Sequence, residues 1–219
     1  VGSEMCIRDS YYGAVSNYPQ FAIGLGKTVL LDKNFNITGF QKINEENIFT
    51  ELHEFQYLDD DTIVQIGSKS HKYDNQNVDS GIISILNQKN GTNFIWDSID
   101  HVSPDSSIVP MKEWGMKSND YFHMNAVRIL SDGNYLASAR HTQTIMKINK
   151  LSGEIIWHMG KGSLNNFKFI NDPYNGFSHQ HAPEELDNKN ILIWDNGIGS
   201  IENGSRVCEY QIDENKLTA

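Results

Sequence analysis

Apolar and polar positions alternate with a period of two along most of this 219-residue chain, and no stretch sustains helical spacing. Residues 145–157 read IMKINKLSGEIIW. That is an alternating strand, a polar turn with Gly, and a second short strand closing on Trp157. Residues 82–96, IISILNQKNGTNFIW, repeat the shape and close on Trp96. Residues 28–40, TVLLDKNFNITGF, repeat it with Phe40 in the place of the Trp. Residues 206–219, RVCEYQIDENKLTA, begin the same hairpin, and the sequence ends just before the closing aromatic is due.

A second piece recurs upstream of these hairpins. Residues 123–136 read HMNAVRILSDGNYL and residues 179–192 read HQHAPEELDNKNIL. Aligned without a gap, His123 meets His179, Asn125 meets His181, Ala126 meets Ala182, Leu130 meets Leu186 and Asn134 meets Asn190. The stretch from His53, HEFQYLDDDTIVQIG, is a third copy, with His53 in the column of Asn125 and His181. Each unit is thus strand, polar turn, strand, linker and aromatic-closed hairpin. Four short strands at this spacing predict an all-β fold, a β-propeller of four-stranded blades. The sequence predicts a partial blade at 11–44 and blades at 48–100, 118–160 and 177–219. The insertion 101–117, with Pro104, Pro110 and Trp114, connects two of them. About three and a half to four blades are present here, and propellers close with about four to eight, so the complete protein is expected to be longer.

Composition narrows the picture. The formal net charge is -10, which argues against nucleic acid or an anionic membrane as the main partner. No apolar run reaches the length of a membrane span. The two cysteines, Cys6 and Cys208, define no disulfide framework. The opening VGSEMCIRDS lacks an apolar signal core and reads as a non-native segment, leaving residues 11–219 as one partial propeller domain.

In a propeller the innermost strand of each blade lines a central channel, so one column of the repeat converges in space. His53 and His181 share such a column, and His123 stands two residues before it. Arg140, in ASARHT, follows the strand 135–139, and its planar fork suits sulfate or phosphate. Asn125 replaces histidine in the column and can donate a hydrogen bond to the same anion. His141 is expected on the opposite face by strand alternation. His179 competes with His181. Tyr121, Phe122 and Phe177 are read either as an aryl-binding wall or as blade core.

These residues resemble a known family. DYFHMNAVRILSDGNYLASARHTQTIMKINKLSGEIIWHMGKG, GFSHQHAPEELDNKNILIWDNG and SRVCEYQIDE are similar to the bacterial arylsulfate sulfotransferases over about 118–215, with a weaker likeness back to His53. The resemblance implies a six-bladed propeller, periplasmic or secreted, without cofactor or metal and often homodimeric. It implies transfer of a sulfuryl group from a phenolic sulfate ester to an acceptor phenol, without a nucleotide donor. Carried over by motif, it puts the transiently sulfated nucleophile on His181 in QHAP. It puts sulfate binding on His123 in FHMN and Arg140 in SARHT, and the remaining histidine on His53 in LHEF. Two departures stand out: His179 occupies a place where the family has an aromatic such as Trp, and the paired cysteines of some members have no counterpart.

The expected mechanism is ping-pong. Neutral His181 attacks sulfur, Arg140 and His123 neutralise the non-bridging oxygens, and His53 protonates the leaving phenolate. The alternative is a non-catalytic propeller that binds a ligand or a protein.

Overall fold

The structure, a computed structural model, describes residues 10–11, 28–32, 34–58, 61–91, 93–108, 119–198 and 204–219. Residues 1–9 with Cys6, the partial-blade residues 12–27, and Pro110 and Trp114 of the connecting insertion lie outside them. Among the described residues the strands are β1 (Ser10–Tyr11), β2 (Thr28–Leu31), β3 (Ile37–Gln41), β4 (Ile48–Tyr57), β5 (Thr62–Tyr73), β6 (Gln76–Asn87), β7 (Asn93–Asp97), β8 (Asn119–Asp120), β9 (Met124–Ile129), β10 (Tyr135–Ala139), β11 (Thr144–Ile148), β12 (Ile155–Gly160), β13 (His181–Glu185), β14 (Ile191–Asp195) and β15 (Arg206–Tyr210). The only helical pieces among them are two short 3-10 turns, Ser98–Asp100 and Pro104–Ser106. The fold is all-β, as the alternation predicts.

The strands form four sheets in the orders β1-β2-β3, β4-β5-β6-β7, β9-β10-β11-β12 and β13-β14-β15. Consecutive strands are neighbours throughout, which is the order of a propeller blade. The blades expected at 48–100 and 118–160 each supply four strands, and those at 11–44 and 177–219 supply three each. Strand β8 adds to β6 through Val78 and Asp79.

The repeat is visible hydrogen bond by hydrogen bond. In the first hairpin of three blades a leucine N–H reaches the carbonyl four residues on: Leu58 to Thr62, Leu130 to Asn134, Leu186 to Asn190. The residue three after that leucine is left-handed in each case, Asp61, Gly133 and Lys189. The aromatic-closed hairpin has its own signature. Its first turn residue, Asp32, Asn87, Asn149 or Asp213, accepts backbone N–H groups through its side chain. A left-handed residue follows, at Phe35, Gly91, Gly153 or Leu217. Short polar side chains that mimic a backbone acceptor explain why Asn and Asp recur there.

The described residues group into two compact units, residues 1–70 with 81–97 and residues 71–80 with 98–219. In the first, Val29, Ile43, Ile63, Val64, Ile66, Ile82, Ile83 and Trp96 are buried, whereas Phe40 is 52% exposed although it aligns with the Trp column. In the second, one apolar cluster joins Leu136, Ile145, Trp157 and Met159 of one sheet to Ile191, Ile193, Cys208 and Tyr210 of the other, with Phe167, Phe169 and Phe177 among them. Trp157 meets Phe167 edge-on at 5.3 Å. Period-2 side chains from two blade faces interdigitate here, as packed sheets require. Tyr121, Phe122 and Phe177 are fully buried in this unit. Of the two readings of these aromatics, blade core holds.

Candidate functional site

Each blade lead-in is bulged at the histidine column. In β9, Asn125 is an extra residue between the pairs Met124–Ala139 and Ala126–Ser138. In β13, Ala182 and Pro183 face a single residue between the pairs His181–Trp194 and Glu184–Leu192. In β4, four residues, Glu51–Glu54, oppose one between the pairs Thr50–Gly67 and Phe55–Gln65. A bulge breaks the ladder and re-aims side chains, and bulges gather beside active sites. The column read from sequence is therefore also the place where regular pairing gives way.

Four of the expected residues, His123, Asn125, Arg140 and His181, lie in the second unit. His123 has φ 51°, and its N–H donates to Asp120 Oδ1 at 2.8 Å. Its Nδ1 meets the other oxygen of that carboxylate, Oδ2. The carbonyl of His123 accepts from the N–H of Arg140 at 3.0 Å, which ties the two lead-in turns together. The imidazole of His141 lies 4.5 Å from that of His123, and its Nδ1 donates to the Asp120 carbonyl at 2.6 Å.

The expectation that His141 faces away from Arg140's neighbours is thus corrected. Strand β10 ends at Ala139, and Arg140–Gln143 is a turn closed by Gln143 N–H to Arg140 O. Alternation no longer governs a side chain once the chain has turned.

Arg140 is half-buried at this turn, and among the described residues no hydrogen bond or ion pair engages its guanidinium. Burial lowers its pKa, against the attraction of Asp120. Burial also presses on the Asp120 carboxyl, but His123 outweighs it and holds the group below the usual carboxylate range. His141 is pushed down to about 4, chiefly by burial. His179 is pushed down to about 4 by burial and then by Arg140, with His123 adding to it. His179 therefore lies within the electrostatic reach of Arg140 and His123. Its Nδ1 is 3.4 Å from Gln143 Nε2.

His181 opens β13, in the strand that packs beside β9 and β10. Its Nδ1 is 3.1 Å from Asn196 Nδ2. Asn196 Oδ1 accepts from Trp194 Nε1 at 2.7 Å, and an indole can only donate, so the Asn196 amide N–H must face the imidazole. Trp194 is the cross-strand partner of His181 and is 46% exposed. Between the two histidines, Gln180 is fully buried, and its amide donates to Ser138 Oγ and to the carbonyls of Ala139 and Thr144. The backbone carbonyl of Gln180 accepts from Asn125 Nδ2 at 2.7 Å. One amide hydrogen of Asn125 is thus committed to the protein, and its Oδ1 is buried without a hydrogen-bond partner.

In the first unit His53 stands inside the β4 bulge. Both its N–H and its Nδ1 meet Glu51 Oε2, each at 2.7 Å. Glu51 Oε1 is buried without a partner.

The nearest approach to a metal-type grouping among the described residues is Asp120, His123 and His141, with candidate atoms within 4.8 Å of one another. These groups already bond to each other, and the cation Arg140 beside them favours an anion. A separate concavity runs along the outer edge of β15, past Asp172, Arg206 and Tyr210, and shares no residue with the histidines.

The sequence reading named His53, His123, Asn125, Arg140 and His181. It missed Asp120, Glu51, Gln180 and Asn196, and it placed His141 on the opposite face. A usable signal existed for two of these, since an acidic residue stands two or three positions before His53 and His123.

Blade-type antiparallel sheets, bulged at the histidine column, define a propeller-type protein, and beside His123 and His141 stands a guanidinium that has no partner among the described residues and is suited to an oxyanion. The family model described as Arylsulfotransferase (ASST) matches residues 29–219, and the chain belongs to that family of sulfuryl-transferring enzymes. No curated protein matches the chain.

Proposed function

We propose that the protein transfers a sulfuryl group from a phenolic sulfate ester to an acceptor phenol by a ping-pong route through a sulfohistidine. The observation that carries this reading is Arg140: a half-buried guanidinium without a partner among the described residues, whose charge acts on His141 and His179 and whose backbone N–H bonds to the His123 carbonyl. Burying a charge without a partner is costly, and a tetrahedral oxyanion supplies the missing bonds.

In the first half-reaction an imidazole lone pair of His181 forms the N–S bond while the S–O bond to the phenol breaks. The electron pair leaves on the phenolate oxygen. The amide of Asn196 donates to Nδ1 of His181, so the neutral ring carries its hydrogen on Nε2 and its one lone pair on Nδ1, and that hydrogen bond opens before Nδ1 attacks sulfur. Arg140 and His123 stabilise the non-bridging oxygens as charge shifts onto the leaving group. Asn125 lines the same region. In the second half-reaction the acceptor phenol loses its proton, its oxygen attacks sulfur, and the N–S bond breaks to restore His181. The proton-transfer role is carried to His53 by the family motif. The same reading includes small-molecule aryl sulfates and phenols as partners, action in the periplasm or outside the cell, and pairing into homodimers.

The test is release of 4-nitrophenol from 4-nitrophenyl sulfate with phenol as acceptor. Turnover with accumulation of protein sulfated at His181 in the absence of acceptor is expected. Sulfation of another residue moves the nucleophile, and absence of release overturns the activity.

A further inference from the structure

Two of the three candidate histidines share a device that the sequence motifs do not name. Asp120 accepts the backbone N–H of His123 with one carboxylate oxygen and meets its Nδ1 with the other. Glu51 does the same for His53, taking both the backbone N–H and Nδ1 on one oxygen. The two carboxylates come from different lead-ins, one two residues upstream of its histidine and one three. Both sit at a bulged or turning backbone, where regular ladder pairing gives way. His181 is held differently, by the amide donor of Asn196.

We infer that Asp120 and Glu51 are positioning residues that fix His123 and His53 in the tautomer carrying hydrogen on Nδ1, so that Nε2 is the atom each ring offers for chemistry. A carboxylate only accepts, so the Nδ1 it meets is the protonated one. Orientation and tautomer are then set before substrate arrives, as for other carboxylate-oriented histidines. Asp120 does a second task. Its own carbonyl takes the Nδ1 hydrogen of His141, which fixes the second ring of the tilted pair in the same tautomer. One acidic residue thus sets the geometry of two imidazoles beside Arg140. This inference deepens the sulfuryl-transfer reading where it concerns catalysis, but the tautomers themselves are independent of it.

Asp120→Asn is the informative change, because the shape is kept while one acceptor becomes a donor. The Asn oxygen continues to accept the His123 N–H, and its amide then faces Nδ1. The neutral His123 ring should switch to hydrogen on Nε2. Long-range 1H–15N spectra of the full chain at alkaline pH read this directly. The expected result is the Nδ1–H form for His123 and His53 in the unsubstituted protein, and the Nε2–H form for His123 alone in Asp120→Asn. An Nε2–H form in the unsubstituted protein overturns the inference and needs no variant to fold. So does an unchanged His123 tautomer in a folded Asp120→Asn.

With 4-nitrophenyl sulfate, Asp120→Asn should lower kcat about a hundredfold, with KM changed far less, as when one transition-state donor is lost. An unchanged kcat likewise overturns the positioning role. If the unsubstituted protein releases no nitrophenol, the sulfuryl-transfer reading fails and the spectra still decide the tautomer.

Discussion

At the scale of single residues, Arg140 separates a site from a scaffold. Its charge is half-buried, its guanidinium has no partner among the described residues, and Asp120 and His123 are bonded to each other instead. A lysine keeps the charge but loses the planar fork that matches two oxygens of one anion. Arg140→Lys should therefore lower kcat/KM about a hundredfold while the fold survives, measured as nitrophenol release against a far-UV spectrum. Sequence reasoning found Arg140 because a guanidinium flanked by small residues is conspicuous. It misjudged His141, because the two-residue period was carried past Ala139 into a turn. It could not weigh Gln180 or Asn196, whose roles come from partners across the sheet.

At the scale of elements, the turn that bears Arg140 is braced by glycines. A Cβ on Gly162 would stand 1.8 Å from the Thr142 carbonyl oxygen, which no side chain tolerates. Gly162→Ala must push the 140–143 turn aside and should cost at least about tenfold in turnover, since small displacements of positioning groups are expensive. Gly204→Ala meets nothing within 4 Å and should leave activity unchanged, which makes it the control for the same assay.

The segment leading to His179 and His181 has a comparable brace. Asp195 accepts from the N–H groups of Ser178 and Gly197 and from Arg206 Nε. Arg206 also forks onto Asp172 at 2.7 and 3.1 Å and donates to the Gly176 carbonyl. Removing the arginine leaves two poorly exposed carboxylates without their cation. Arg206→Ala should cost about 3–5 kcal/mol in denaturant unfolding, the usual range for half of a buried pair.

At the scale of the molecule, burial of imidazoles ties stability to pH. His141, His158 and His179 are each pushed down to about 4, mainly by burial. The unfolded chain takes up those protons near pH 6.5, well before the folded chain does. The stability tied to the neutral rings is full above about pH 6.5 and is lost as pH falls toward 4. Denaturation midpoints should drop across that window, and His158→Gln, away from the site, should flatten the drop. A midpoint that stays level from pH 7 to 4.5 contradicts this account.

The sequence by itself determined the period, the blades and the column. Alternation, Asx-type turns and the leucine-led hairpins are local, so each copy of the repeat states them again, and aligning the copies brings His53, Asn125 and His181 into one register. What the tertiary structure alone decided is how those side chains are held. Bulges suspend the alternation at the column, and a turn carries His141 onto His123. The carboxylates, amides and carbonyls that orient each ring come from folded lead-ins and neighbouring strands. Hydrogen bonds between groups brought together by folding depend on ångström distances that residue order does not encode.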